Sequence, residues 1–178
     1  MTKQKLLIGI SGKMGSGKST ISHMLKAGFE MTDRKVEIMS LSKPLYKAQD
    51  LLYKQFGLEL QGDKDRNLLI SIGQWGRDID PDFWVEQAAK SIVESDADII
   101  ICDDIRFKNE ADFFKRLGVI FRIEGEQRGD NVDHSKATDA TECSLDDYKF
   151  DNVIHNNKSP DDMCMEIATI MGGGNGNK

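Results

Sequence analysis

Gly12-Lys13-Met14-Gly15-Ser16-Gly17-Lys18-Ser19 follows directly on the apolar run Leu6-Leu-Ile-Gly-Ile10, and Thr20 continues it. The spacing is that of a complete G-x-x-x-x-G-K-[ST] phosphate loop. Its glycines let successive backbone N–H groups turn inward around a polyphosphate, Lys18 reaches the β and γ groups, and the Ser19 hydroxyl can ligate Mg²⁺. Behind the loop, Ile21, Met24, Leu25 and Gly28 recur at three- and four-residue intervals. That rhythm predicts a helix over 18–30 whose positive end faces the same anion. Residues 12–20 are therefore the expected ATP-binding segment.

Outward from the loop the chain alternates. Strands are expected at 5–10, 35–40, 98–102, 118–123 and 152–155, and helices at about 18–30, 43–56, 64–76, 82–95, 107–117 and 160–171. This order predicts an α/β fold, a five-stranded parallel sheet covered by helices on both faces. Ile99-Ile-Ile101 is apolar throughout, which suits a strand buried on both sides. Ser159-Pro-Asp-Asp162 supplies a cap, a proline at the first helical position and acids in the first turn. The run Gly172-Gly-Gly-Asn-Gly-Asn-Lys178 packs nothing and is expected to be a tail.

Composition bounds the partners. The chain has 178 residues, 39% of them apolar and 30% charged, enough for a core without metals or disulfides. A net charge of −6 argues against coating a nucleic-acid polymer, which takes many cations against phosphates. No stretch approaches a membrane span, and Met1-Thr-Lys-Gln-Lys5 carries no signal-peptide pattern. With Cys102, Cys143 and Cys164 odd in number and without metal spacing, a cytoplasmic setting is expected. The oligomeric state stays open, a homodimer included.

A second chemical segment is Asp98-Ile-Ile-Ile-Cys-Asp103-Asp104-Ile-Arg106-Phe107, an apolar strand ending in two carboxylates. Carboxylates at the carboxyl end of a strand beside a phosphate loop can hold Mg²⁺ directly or through water, making Ser19, Asp103 and Asp104 the metal candidates. Two acids in a solvated turn is the alternative.

Asp104-Ile-Arg-Phe-Lys-Asn-Glu-Ala111 resembles the D-V-R-F-x-N-E-A signature of the deoxynucleoside monophosphate kinases of tailed bacteriophages, a branch of the P-loop nucleotide kinases. Ser42-Lys43-Pro-Leu45 is similar to that family's A-x-P-L, Ile72-Gly-Gln-Trp-Gly-Arg77 to its L-G-T-x-x-R, and Pro81-Asp-Phe-Trp-Val85 to its P-D-x-W-V. Thr141-Glu142-Cys-Ser-Leu-Asp-Asp147, with Phe150-Asp151 and Asn156, is similar to its S-E-x-S-L-D-D and F-D-x-x-I-x-N. One departure stands out: where the family has a histidine two residues before its S-E pair, this chain has Asp139, and the nearest histidine is His134.

The resemblance implies a three-layer nucleotide-kinase sandwich over 1–171, with a helical acceptor-binding region at about 43–95 and a lid at about 124–140. It implies transfer of the γ-phosphoryl of ATP, with Mg²⁺, to a deoxynucleoside 5′-monophosphate, in the host cytoplasm for a phage protein. An acceptor phosphate with a second pKa near 6 is ionised at neutral pH, so such a reaction needs cations rather than a general base. Lys18, Arg77, Arg122, Arg128 and Asp104 are the expected catalytic groups, with Arg122 and Arg128 flanking a lid that closes over ATP. Lys43, Arg66, Arg77, Trp84, Arg106 and Glu142 are the acceptor-side candidates. Several carry a plainer alternative: Arg106 as ion-pair partner of Glu110, Arg122 and Arg128 as solvated surface groups, Trp75 and Trp84 as core. Two other activities remain open. One is a kinase resembling dephospho-coenzyme A kinase, with a hydroxyl acceptor and Asp103 or Asp33 as base; the other is a P-loop ATPase or switch.

Overall fold

Isoleucine- and valine-rich runs pair side by side in one sheet because their branched side chains pack well on a pleated surface. In the computed structural model, which describes residues 5–125 and 144–173, the order is β1 (Leu6–Gly12), α1 (Lys18–Glu30), β2 (Val36–Met39), α2 (Lys43–Phe56), α3 (Arg66–Ile79), α4 (Phe83–Glu94), β3 (Ile99–Ile105), α5 (Lys108–Leu117), β4 (Val119–Glu124), β5 (Asn152–His155) and α6 (Pro160–Gly173). The chain forms two compact units, one running up to Met39 and resuming at Asp96, the other spanning Ser40–Ser95.

The first unit holds the five-stranded sheet in the order β2-β3-β1-β4-β5, every pair parallel. The fully buried Ile8 lies opposite Ile101 on one side and Val119 on the other. One face packs Ile8, Ile10, Ile101, Phe121 and Ile154 against Ile21 and Leu25 of α1 and Met163 and Ile167 of α6. On the other face α5 approaches β1 so closely that a Cβ on Gly9 would sit 3.0 Å from that of Phe114, which is why a glycine interrupts this apolar strand.

The second unit is α2, α3 and α4. Asp65 begins α3 by accepting the Leu68 N–H at 3.0 Å and the Tyr53 hydroxyl at 2.9 Å. The backbone bond, then the phenol, hold its carboxyl below the usual range. Helix α3 therefore starts at Arg66, two residues later than expected, and it runs to Ile79, stopping just before Pro81. Trp84 is 7% exposed and donates its indole N–H to the Gly73 carbonyl at 2.9 Å.

Two further boundaries bear on the candidate residues and the expected tail. Strand β3 does not stop at Cys102, because Ser11 pairs with Ile105 beyond an irregularity in β1; Asp103 and Asp104 thus belong to the strand and not to a turn. Helix α6 continues to Gly173, so the expected tail at 172–178 starts inside it, and 174–178 lie outside the described residues. The expected lid at 124–140 falls mostly on 126–143, also outside them. Among the described residues no helix is long and apolar enough to cross a membrane.

At Gly76 a Cβ would stand 2.7 Å from the Trp84 ring. Gly76→Ala should overpack this buried contact and lower stability by about 1–3 kcal/mol, read as an earlier midpoint in urea unfolding.

Candidate active site

The site grows from the end of β1. At Gly12 a side chain is excluded on two sides, since a Cβ would lie 2.6 Å from the Ile123 carbonyl oxygen and 2.5 Å from the Ser16 hydroxyl. Gly15 and Gly17 take left-handed φ values of 76° and 98°, cheap only for glycine, and these turns deliver the chain into α1. The Lys18 ammonium lies across the loop, donating to the carbonyls of Gly12 at 2.7 Å and Lys13 at 2.9 Å. The Ser16 N–H closes the turn onto the same Lys13 carbonyl at 3.1 Å. Just past β5, the Asn156 carboxamide donates to the Ser16 carbonyl at 2.8 Å, fastening the loop to the far strand.

Whether this loop suits a polyphosphate can be read from Ser16. Its hydroxyl is buried and has no hydrogen-bond partner among the described residues, a rare condition for a native polar group. A leftover donor inside an anion cradle fits phosphate oxygens. For Mg²⁺ the donors are the Ser19 hydroxyl, exposed in the first turn of α1, and the carboxylates of β3. Asp104 lines one small cavity with Gly12, Lys18, Arg106 and Arg122. No group of three His, Cys, Asp or Glu side chains able to hold a metal occurs among the described residues. Mg²⁺ arriving with a triphosphate takes one or two protein oxygens and fills its shell with phosphate and water. The Cys102 thiol sits 3.3 Å from Asp104 Oδ1; burial, then the Asp104 charge, push its pKa well up, so it is a neutral donor to that carboxylate.

Arg106 follows β3 and reaches the same cavity. Of its two sequence readings, the pairing with Glu110 takes an unexpected form: the buried Glu110 carboxylate accepts the backbone N–H of Arg106 at 2.8 Å and of Phe107 at 3.0 Å. It caps α5 and holds the backbone of Arg106, whose side chain is exposed.

Arg122 differs from expectation. It is no solvated group but a β4 residue 7% exposed, because side chains in the middle of a sheet alternate between two covered faces; most of the lid it was expected to flank lies outside the described residues. Its guanidinium reaches Ser11 Oγ and Asp146 Oδ1, each at 3.3 Å, and stands over the Phe150 ring. Lys13, whose aim the sequence left unread, points to Asp146 Oδ2 at 3.2 Å.

The structure thus gathers residues 12–20, Asp103, Asp104, Arg106 and Arg122 in the first unit. Lys43, Arg66, Arg77 and Trp84 lie in the second. There Lys43 opens α2, Arg66 opens α3, and Arg77 occupies the last turn of α3 with its guanidinium against Gly73. Trp84 is corrected: its indole N–H and ring face are used up in packing, so it is not a stacking surface for a base, whereas Trp75 is 57% exposed. Arg128 and Glu142 lie outside the described residues. Sequence reasoning missed Asn156 and Asp146 as site residues; both stand in quoted motif segments, but nothing in their spacing shows what they touch.

A phosphate loop at the end of the central strand, a strand-end carboxylate and clustered cations on a five-stranded parallel sheet define a P-loop kinase, a phosphotransferase. The family model of phosphomevalonate kinase matches residues 10–119, and the chain belongs to that family. Its structure is similar to shikimate kinase from Acinetobacter baumannii in complex with shikimate, with 12% identity over 98% of this chain and 97% of that one and a TM-score of 0.59. The APS kinase CysC of Mycobacterium tuberculosis in complex with AMPPNP and APS is similar at 10% identity, 95% and 98% coverage and a TM-score of 0.57. Thymidylate kinase from Ehrlichia chaffeensis follows at 14% identity, 94% and 98% coverage and 0.52. At such identities the likeness concerns the fold. No curated protein sequence matches the chain significantly.

Asn156→Ala removes the bond that fastens the loop. It should cost about 1 kcal/mol of preorganisation, weakening Mg·ATP binding roughly fivefold in a calorimetric titration while the far-ultraviolet circular dichroism stays unchanged.

Proposed function

We propose that this kinase transfers the γ-phosphoryl group of Mg·ATP to a deoxynucleoside 5′-monophosphate, giving the diphosphate and ADP. One observation carries the reading: an arginine, Arg106, stands in the same cavity as Lys18 and Asp104, its backbone held by Glu110. A planar cation beside the donor loop suits a phosphate acceptor, which needs gripping and charge neutralisation. A hydroxyl acceptor would instead need a carboxylate free to take its proton.

The residues divide the work. Loop amides and Lys18 hold the β and γ phosphates, and Ser19 with Asp103 or Asp104 would hold Mg²⁺, which neutralises charge developing on the transferred group. Arg106 would bind the acceptor anion, and Arg77, Arg66 and Lys43 of the helical unit are the further acceptor-side groups that the resemblance implies. Because the transition state is mostly spread charge on equatorial oxygens, positioned cations supply most of the acceleration.

The family name favours a second acceptor of the same chemistry, phosphomevalonate. It is also a phosphate monoester, so the donor half of the site serves both, and the choice between them rests on the acceptor side.

The test is ADP release measured with Mg·ATP and, separately, each deoxynucleoside monophosphate, each ribonucleoside monophosphate and phosphomevalonate. Stimulation by a deoxynucleoside monophosphate is expected. Stimulation by phosphomevalonate alone would replace that acceptor, and turnover indifferent to any of them would make the chain an ATPase. Lys18→Ala should reduce transfer by about 10³-fold or more with the fold intact. Arg77→Ala should raise the acceptor KM about tenfold and leave ATP binding nearly unaltered; equal loss of both would remove Arg77 from the acceptor site.

A further inference from the structure

Asp146 stands in the Ser144-Leu-Asp-Asp147 block, which the donor and acceptor assignments above leave unused. Its two carboxylate oxygens serve different segments. Oδ1 accepts from the Arg122 guanidinium at 3.3 Å and Oδ2 from the Lys13 ammonium at 3.2 Å. A counter-ion for the buried Arg122 alone would need only the first bond. The second ties it to the phosphate loop, at the residue whose carbonyl receives both the Lys18 ammonium and the Ser16 N–H.

We infer that Asp146 is a positioning residue for the donor phosphates. By anchoring the Lys13 side chain to the rigid strand β4 through Arg122, it fixes the Lys13 carbonyl, and that carbonyl sets where Lys18 and the Ser16 amide start from. Four further contacts make the anchor stiff. Arg122 is held from behind by Ser11 Oγ and the Phe150 ring, and the segment carrying Asp146 is pinned to α5 by the Tyr148 hydroxyl on Asp112 at 2.8 Å and by Lys115 on Asp151 at 2.8 Å. Burial, then the Asp112 carboxylate, push the Tyr148 phenol up to about 12, so that donor keeps its proton across the physiological range. Asp146 touches no phosphate in this account; it acts through Lys13 and the loop.

The inference rests on the ATP site proposed above, and the experiment separates the two. Mg·ATP affinity, which does not depend on the acceptor, is measured by calorimetry on the full chain for wild type, Asp146→Asn, Lys13→Met and the double variant, with thermal melting in parallel. Each single change should weaken Mg·ATP about five- to tenfold, and the double variant should be no weaker than the worse single, because both remove one bridge. Asp146→Asn should also lower the Tm, since Arg122 is buried. Lys13→Met, which breaks only a half-exposed pair, should melt near wild type and carries the test if the other variant does not fold. Unaltered affinity in Lys13→Met, tighter binding in Asp146→Asn, or effects that multiply in the double variant would overturn the inference while leaving the donor site standing. A wild type that binds no Mg·ATP would instead remove the functional reading itself.

Discussion

The chain turns at Gly12 because β1 and β4 meet there with no room for a side chain, and the rest of the site depends on that closeness. Gly12 pairs with Ile123 in a parallel ladder, with the carbonyl of Ile123 2.6 Å from where a Cβ would begin. The loop therefore leaves the sheet at its centre, between β3 and β4, and strand-end groups on either side come within reach of it. Asp103 and Asp104 arrive from β3 and Arg122 from β4. The helix behind the loop adds its positive end to the same point. A phosphate loop on an edge strand would have a neighbour on one side alone.

Charge in the first unit is arranged against the chain's overall balance. The net charge is −6, yet Lys13, Lys18, Arg106 and Arg122 converge around the end of β1. Coulomb attraction between exposed partners is worth little, about 0–1 kcal/mol, whereas stripping one partner from a buried ion costs about 3–5 kcal/mol. By that comparison Asp146–Arg122 is the pair whose loss would be felt in stability, and Asp146–Lys13 the pair whose effect is geometric. One carboxylate thus has two different effects because one partner, Arg122, is buried and the other, Lys13, is half-exposed.

What the sequence revealed follows from the range of each signal. The loop is legible because its chemistry is contiguous, and the strand and helix alternation because periodicity is local; α2 and β5 fall where their patterns place them. The end of β3 was misplaced because Asp103 and Asp104 look like turn residues until the pairing of Ile105, beyond them, with Ser11 of β1 is seen. Trp84 was named among the acceptor-side candidates, with core as its alternative, because nothing local distinguishes an aromatic in a wall from one in a core; Gly76 and Gly73, one and two turns upstream of the α3–α4 junction, decide it. Arg122 was read as flanking a lid, or as a solvated group, from the glycine-rich charges after it, while Ser11, Asp146 and the Phe150 ring enclose it. Asp146 and Asn156 act on residues more than a hundred positions away in sequence, Lys13 and Ser16, and no spacing rule spans that distance.

The helical unit solves a different problem from the sheet. It has few fully buried aliphatic side chains, and directed bonds do much of its fixing: Gln49 accepts the Asp65 N–H, Tyr53 donates to Asp65, and the Trp84 indole holds Gly73. Each joins two of its segments at a defined angle, which nonpolar packing alone does less sharply. Arg66 and Arg77, at the two ends of α3, inherit that definition: one lies next to the Asp65 cap and the other against the glycine that Trp84 grips. Under the proposed function these groups hold an anion in line with a reacting partner, where a misplacement of about 1 Å is costly in rate. A unit built on hydrogen-bonded corners rather than on a thick apolar core is thus consistent with that proposed role, in which cations must stay where they are put.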